Sequence, residues 1–217
     1  DLGCDLVVLA RENSIREIEA IQKAQGALPG GMVAEGQRPP LPLEVFVHGA
    51  LCVAYSGQCF TSESIGGRSA NRGQCAQSCR LEYEMIVDGQ KRDLGDLKYL
   101  VSPKDLCGIA EIPELLEIGI DSFKVEGRLK TPEYVAAAAK NYSEAINRVE
   151  DKKQFTKRDI ENAKTEMGLT YSRGFFSGWL HGVDHQKLVD GTFGAHRGVE
   201  IGKVLKVEVK AIVVEIN

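Results

Sequence analysis

Six cysteines stand in this 217-residue chain, and five of them, Cys52, Cys59, Cys75, Cys79 and Cys107, fall between positions 52 and 107. Thiolates are soft ligands that suit zinc or an iron–sulfur cluster, and either takes about four of them. Cys52 and Cys59 have six residues between them, Cys75 follows after fifteen and Cys79 after three more. A zinc ribbon has two close pairs, and here only Cys75 and Cys79 are close, so the uneven spacing leans toward a cluster held by a loop. Cytoplasmic thiol buffers disfavour disulfides as the alternative. Cys4, just before an apolar run, is expected to be a small core residue, and Cys107 a buried thiol on a helix face.

Charged groups accompany the thiols. Arg68, Arg72 and Arg80 stand in or beside the cysteine segment, and their forked guanidinium groups suit a carboxylate or phosphate; the bland alternative is a solvated basic loop. In the strand-like run from Ser122 to Arg128, a period of two puts Lys124, Glu126 and Arg128 on one face, opposite Phe123 and Val125. Those three groups serve either a reaction at the mouth of a barrel or a structural ion-pair network. His48, closing a strand before Gly49, is either a pocket group or a hydrogen-bonded core imidazole. Lys104 and Asp105 read as a helix start, with Asp105 capping free N–H groups. Tyr171, Phe175, Phe176 and Trp179 with Arg173 form either a base-stacking surface or ordinary packing.

Hydrolase chemistry fits less well. The chain has no G-x-S-x-G elbow and no H-E-x-x-H helix, with His48, His181, His185 and His196 all outside such a pattern. Cys52 lies four residues after His48, but a cysteine protease needs an orienting third group, and nucleophile and base seldom neighbour each other in sequence.

Several elements must position these groups. Asp5–Ala10 reads as a buried strand, followed by a helix capped by Ser14 with Glu17 as its box partner and an Ile15, Ile18, Ile21 stripe. After a Gly- and Pro-rich stretch from Gly26 to Pro42 comes a second strand, Leu43–Val47. Residues 50–80 predict a long functional loop. Beyond it the pattern predicts an apolar run at Tyr83–Val87 before a turn at Asp88-Gly89, and a strand at Tyr99–Ser102. A helix at Lys104–Ile118 ended by Gly119, a strand at Asp121–Glu126 and a long helix at Pro132–Val149 follow. Lys152–Met167 is a charged helical connector, and Gly202–Ile216 alternates as β-strands do. Strands alternating with helices imply an α/β fold with a parallel sheet, in a barrel or a doubly wound layer. The divisions are 1–150 for this α/β part with its cysteine loop at 50–80, 151–198 for the connector, and 199–217 for the start of a small β domain.

With 27 basic against 31 acidic residues and 43% apolar content, the chain has the composition of a soluble globular protein with no global nucleic-acid footprint, so RNA contact would need a local basic surface. No run approaches the length of a membrane span and no secretory signal is present, so a cytoplasmic location is expected. Opening on Asp1 and closing inside a strand-like run, the chain reads as a piece of a longer protein.

The segment Glu44–Cys52 followed by Tyr55-Ser56-Gly57-Gln58-Cys59 resembles the signature of the U32 peptidase family, the collagenase-like proteins. Arg68–Arg80 resembles that family's second cysteine block, Ser102–Leu106 its lysine-aspartate segment, and Ser122–Arg128 its glutamate-glycine-arginine strand. The resemblance covers at least residues 2–149, and the tail motifs Tyr171–Phe175, Asp190–Phe193 and His196–Gly198 look most like the branch that hydroxylates ribosomal RNA. It implies a partial TIM-like (β/α) barrel followed by the start of a small β-barrel domain. It further implies a 4Fe-4S cluster on Cys52, Cys59, Cys75 and a fourth cysteine, Cys79 or one near Cys107, of which Cys79 is favoured. It also implies prephenate as a possible co-substrate and rRNA or tRNA as substrate; Arg68, Arg72 and Arg80 are the cations available for that co-substrate, and His48, Lys124, Glu126 and Arg128, read from their strands above, are the candidate catalytic groups. The alternatives it carries are a collagenase-like peptidase, as the family name records, and an iron–sulfur accessory protein in ubiquinone hydroxylation paired with a family member.

Overall fold

The computed structural model describes residues 3–26 and 39–216; most of the Gly- and Pro-rich stretch lies outside them. Strand β1 (Val7–Val8) leads to helix α1 (Ile15–Ala24), and β2 (Leu43–Ala50) is the longest strand. The helix start is as the sequence predicts: Ser14 Oγ accepts from Glu17 N at 3.3 Å and Ser14 N donates to Glu17 Oε2 at 2.8 Å, closing a capping box. The loop then carries a short helix α2 (Thr61–Gly66), two 3-10 turns, and a hairpin of β3 (Met85–Val87) and β4 (Gln90–Arg92) turning at Asp88-Gly89.

Strand β5 (Asp105–Cys107), helix α3 (Ile112–Ile118), β6 (Ser122–Val125), helix α4 (Pro132–Glu150), helix α5 (Lys157–Thr170) and β7 (Phe175–Phe176) complete the main body. A one-turn helix α6 (His185–Leu188) and a hairpin of β8 (Gly202–Val207) with β9 (Ile212–Ile216) follow.

The five strands β1, β2, β5, β6 and β7 form one mixed sheet. β1 and β6 run parallel to β2, whereas β5 is antiparallel to it and β7 parallel to β5. The α/β class stands, but no closed barrel occurs among the described residues. One sheet face is apolar: Leu43, Val45 and Val47 of β2 share a core with Ile15, Leu115, Ala138 and Met167 from the helices. The intervening positions Glu44 and Phe46, with Lys124 of β6, are more exposed, as the period of two requires. The 151–198 segment also contributes, because Ala163, Met167, Trp179, Leu180 and Leu188 are buried in the same core.

Two predicted elements are corrected. Residues 104–111 are not helical: Asp105, Leu106 and Cys107 pair with Ala50, Gly49 and His48, and α3 begins only at Ile112. A cross-strand partner and a buried cation recruit this stretch, and neither is visible in local propensity. Tyr99–Ser102 is a turn, closed by Ser102 N donating to Tyr99 O at 3.0 Å, rather than a strand. Among the described residues no helix is long and apolar enough to cross a membrane.

Candidate functional site

Register collects the chemistry on one sheet edge. The C-terminal ends of the parallel strands β1, β2 and β6 coincide, bringing Arg11, Ala50–Cys52 and Glu126 together. Because β5 is antiparallel, its first residue Asp105 pairs with Ala50, and Phe175 at the start of β7 pairs with Asp105. Residues 171–174 therefore lie on that edge too.

Glu126 is seated there by the backbone. Its Oε2 accepts from Ala50 N at 2.6 Å and its own N donates to His48 O at 2.9 Å. Gly49 makes room: a Cβ at its φ of +139° would stand 2.5 Å from Glu126 Cβ and 2.7 Å from Oε2. Lys130 Nζ lies 4.0 Å from Glu126 Oε1. Lys124 is half exposed and 3.9 Å from Glu44 Oε1, whose other oxygen accepts from Ser122 Oγ at 2.8 Å. Lys124 and Glu126, with Arg11, Phe46, Ala50 and Ser56, line a cleft of about 280 Å³. Arg128 does not join them. Strand β6 ends at Val125, so the alternation that would place Arg128 on this face stops, and the residue sits exposed in the following turn.

The cysteine loop is pinned at many points. Asn71 Nδ2 donates to Cys59 O at 3.1 Å while its Oδ1 accepts from Cys59 N at 3.0 Å. Ser62 Oγ donates to Arg68 O at 2.5 Å and accepts from Ala76 N at 2.8 Å. Ser56 N and Oγ donate to the Glu12 carboxylate at 2.7 and 2.9 Å, and Arg11 donates to Ala54 O at 3.0 Å. Gln77, in a left-handed conformation, turns its N–H to Cys75 Sγ at 3.3 Å. Burial raises the Cys79 thiol pKa; the Arg80 charge opposes, and Cys52, Cys75 and Cys59 add to the rise, so all three are electrostatic neighbours of Cys79. Among the described residues no three His, Cys, Asp or Glu side chains could hold a single metal ion. Cys107 has other surroundings: it is buried beside Tyr142 Oη at 4.0 Å, and burial pushes its thiol up to about 11. Cys4 is exposed, contrary to expectation, because the strand after it starts only at Val7 and core packing begins there.

Arg80 is a structural strut. Its Nη2 donates to Leu51 O at 2.9 Å, and its Nη1 donates to Ser102 Oγ at 2.8 Å and to Pro103 O, so the guanidinium ties the cysteine loop to the strand end. Arg68 and Arg72 are exposed on the loop. Behind Arg80, the carboxylate of Asp105 accepts from Arg173 N at 2.8 Å, Nε at 3.1 Å and Nη2 at 2.5 Å, with both side chains buried. Asp105 thus holds a buried cation instead of capping a helix.

His48 is 1% exposed. Its ring centroid lies 5.5 Å from those of Tyr134 and Tyr142 and 5.7 Å from that of Phe175. Tyr142 Oη donates to Val47 O at 2.8 Å and stands 3.4 Å from His48 Nδ1. Burial lowers the imidazole pKa to about 4, with Asp105 opposing and Lys130 reinforcing the shift. Trp179 and Arg173 are buried and Tyr171, Phe175 and Phe176 half-buried, and Tyr171 stacks on the exposed ring of His196. Sequence reasoning missed Arg11, Glu12, Asn71, Lys130 and the Asp105–Arg173 pair. Only the proximity of Arg11 and Glu12 to a predicted strand end hinted at any of these.

The edge defines an α/β protein that brings a backbone-held carboxylate and several cations to the ends of parallel strands, with a cysteine-bearing loop leaving β2 there. The chain belongs to peptidase family U32, whose family model matches residues 1–190. It is 39% identical over 219 residues to an uncharacterized protease of Methanocaldococcus jannaschii, covering 97% of this chain and 51% of that protein. Against the 23S rRNA 5-hydroxycytidine C2501 synthase of Escherichia coli it is 35% identical, covering 95% of this chain and 30% of the relative. A collagenase of Porphyromonas gingivalis shares 32% identity over 93% of this chain and 49% of its own length. The chain thus spans about half or less of the length of these relatives. No solved structure matches it.

Proposed function

We propose that this chain is the thiol-bearing part of an iron–sulfur enzyme that hydroxylates an RNA base without molecular oxygen, in the cytoplasm. What supports the reading is the run of Cys52, Cys59, Cys75 and Cys79 along one hydrogen-bonded loop, with Cys107 buried apart from it beside Tyr142. Four cysteines at uneven spacing in one loop are a donor set of the type that holds an iron–sulfur cluster, rather than the two close pairs of a zinc ribbon. Cys52, Cys59, Cys75 and Cys79 would hold it, and the Gln77 N–H on Cys75 Sγ would tune it. When bound, such a cluster supplies one-electron chemistry. Similarity to an rRNA hydroxycytidine synthase favours RNA as the substrate.

The chain's own groups take defined roles in this reading. Glu126, fixed by Ala50 N, accepts or returns a proton in the cleft, and Lys124 and Arg11 offset negative charge there. Arg68 and Arg72 are the exposed cations for a carboxylate co-substrate such as prephenate, while Arg80 is engaged in holding the loop. His48 keeps Glu126 N in place through its carbonyl, while its ring is buried among Tyr134, Tyr142 and Phe175. The open sheet, with Glu44, Phe46 and Lys124 on the face away from the helices, is read as part of a (β/α) barrel whose lumen that face would line. A second reading, peptide hydrolysis, is favoured by the family's name and by relatives named as a protease and as collagenases.

The test is anaerobic purification of the intact protein with iron and sulfide analysis. The wild type and Cys107→Ala should each carry about four irons per chain, and Cys79→Ala should lose them. A wild type without iron ends the redox reading, and iron lost only from Cys107→Ala moves the fourth ligand. Peptide cleavage by iron-free protein, with no hydroxylated base in RNA mass spectra, would favour the second reading.

A further inference from the structure

We propose that His196 and Tyr171 form a stacking platform for an unpaired base of an RNA strand, placed beside the thiols on the same sheet edge. The inference deepens the reading above and rests on RNA being the substrate.

The two rings are stacked with centroids 5.3 Å apart and planes 18° from parallel. Lys130 Nζ lies 4.0 Å from the Tyr171 centroid, and Tyr134 meets Tyr171 edge-on at 6.4 Å. Arg173, held by Asp105, stands 5.5 Å from the same ring. Tyr171 is thus fixed by two cations and an aromatic edge, and it is half-buried, whereas His196 outside it is exposed. His196 is fixed as well: its Nδ1 accepts from Ser172 N at 2.9 Å, which places the ring proton of the neutral form on Nε2. A flat π-surface held against rotation at the surface meets the requirement for base stacking, which is sequence-tolerant because every base has a π-face.

A chain of contacts joins the platform to the thiols. Arg80, next to Cys79, donates to Leu51 O beside Cys52 and to Pro103 O, two residues before Asp105; Asp105 holds Arg173, and Arg173 lies against Tyr171. Beside the stack opens a cleft of about 460 Å³ lined in part by Ser172, Phe193, Arg197 and Lys164. Arg197 there is paired with Asp190 at 3.2 Å and Glu200 adds an acid to the lining, which leaves Lys164 as the cation for the phosphate of a neighbouring nucleotide.

The experiment uses the intact protein and a single-stranded oligouridine carrying one 2-aminopurine, whose fluorescence is quenched on stacking. The wild type should bind and quench. His196→Ala should bind about 5- to 150-fold more weakly, the range that one base–aromatic stack is worth, with less quenching at saturation and an unchanged dependence on salt, since no phosphate contact is removed. His196→Phe should restore both affinity and quenching. His196→Gln retains an acceptor for Ser172 N without a ring, should behave as the alanine variant does, and decides the matter if that variant fails to fold. Wild-type affinity and quenching in His196→Gln would overturn the platform while leaving RNA as substrate. A wild type that binds no RNA removes the substrate reading and the platform with it.

Discussion

Enclosed by Tyr134, Tyr142 and Phe175, His48 has little solvent to stabilise a positive charge, so its pKa of about 4 lies below the roughly 6.5 of an exposed imidazole. The unfolded chain takes up a proton as pH drops through about 6.5, whereas the native ring stays neutral until about 4. Stability from this group is therefore complete above the unfolded value and is lost as pH falls toward the folded one, by about 3 kcal/mol in all. Urea unfolding between neutral pH and pH near 4.5 should show a steep loss in the wild type and a shallower one in His48→Gln. Equal slopes would mean the ring is solvated. At this scale the thiol motif, Lys124 and Glu126 were legible in residue type and spacing. The protonation state of His48 was not, because burial sets it.

Strand β5 shows what local sequence leaves out. Lys104 to Ile118 has the composition of a helix, yet its first part pairs with β2 and its carboxylate accepts three hydrogen bonds from Arg173, 68 residues away. Removing one partner of such a pair strands the other charge in a poorly solvated site, which costs about 3–5 kcal/mol. Asp105→Leu should lower stability by that amount in urea unfolding, and adding Arg173→Met should recover much of it. If the double variant is no better than the single, the pair is not what Asp105 supplies. Where the governing interactions are local, as in the capping box at Ser14, sequence and structure agree closely.

For the molecule as a whole, the core runs from Ile15 to Leu188 and draws Met167, Trp179 and Leu180 from the segment that reads as a connector. Truncation after Asp151 would remove those side chains and leave apolar surface on α4 and β5 uncovered, so the fragment should lack a cooperative urea transition. Truncation after Ile201 removes only the exposed β8–β9 hairpin and should leave the transition midpoint nearly unchanged. A cooperative transition in the shorter fragment would show that α5 and β7 are dispensable to the core.

The order of residue types along this chain was enough to mark it as an α/β protein with a thiol loop of U32 character, since capping, periodicity and motif spacing act over a few residues. Which groups share an edge depended on the antiparallel entry of β5 and on the pairing of β7 with it. Both are contacts across many tens of residues, and such pairings are selected by the burial of the whole core, which no local window contains.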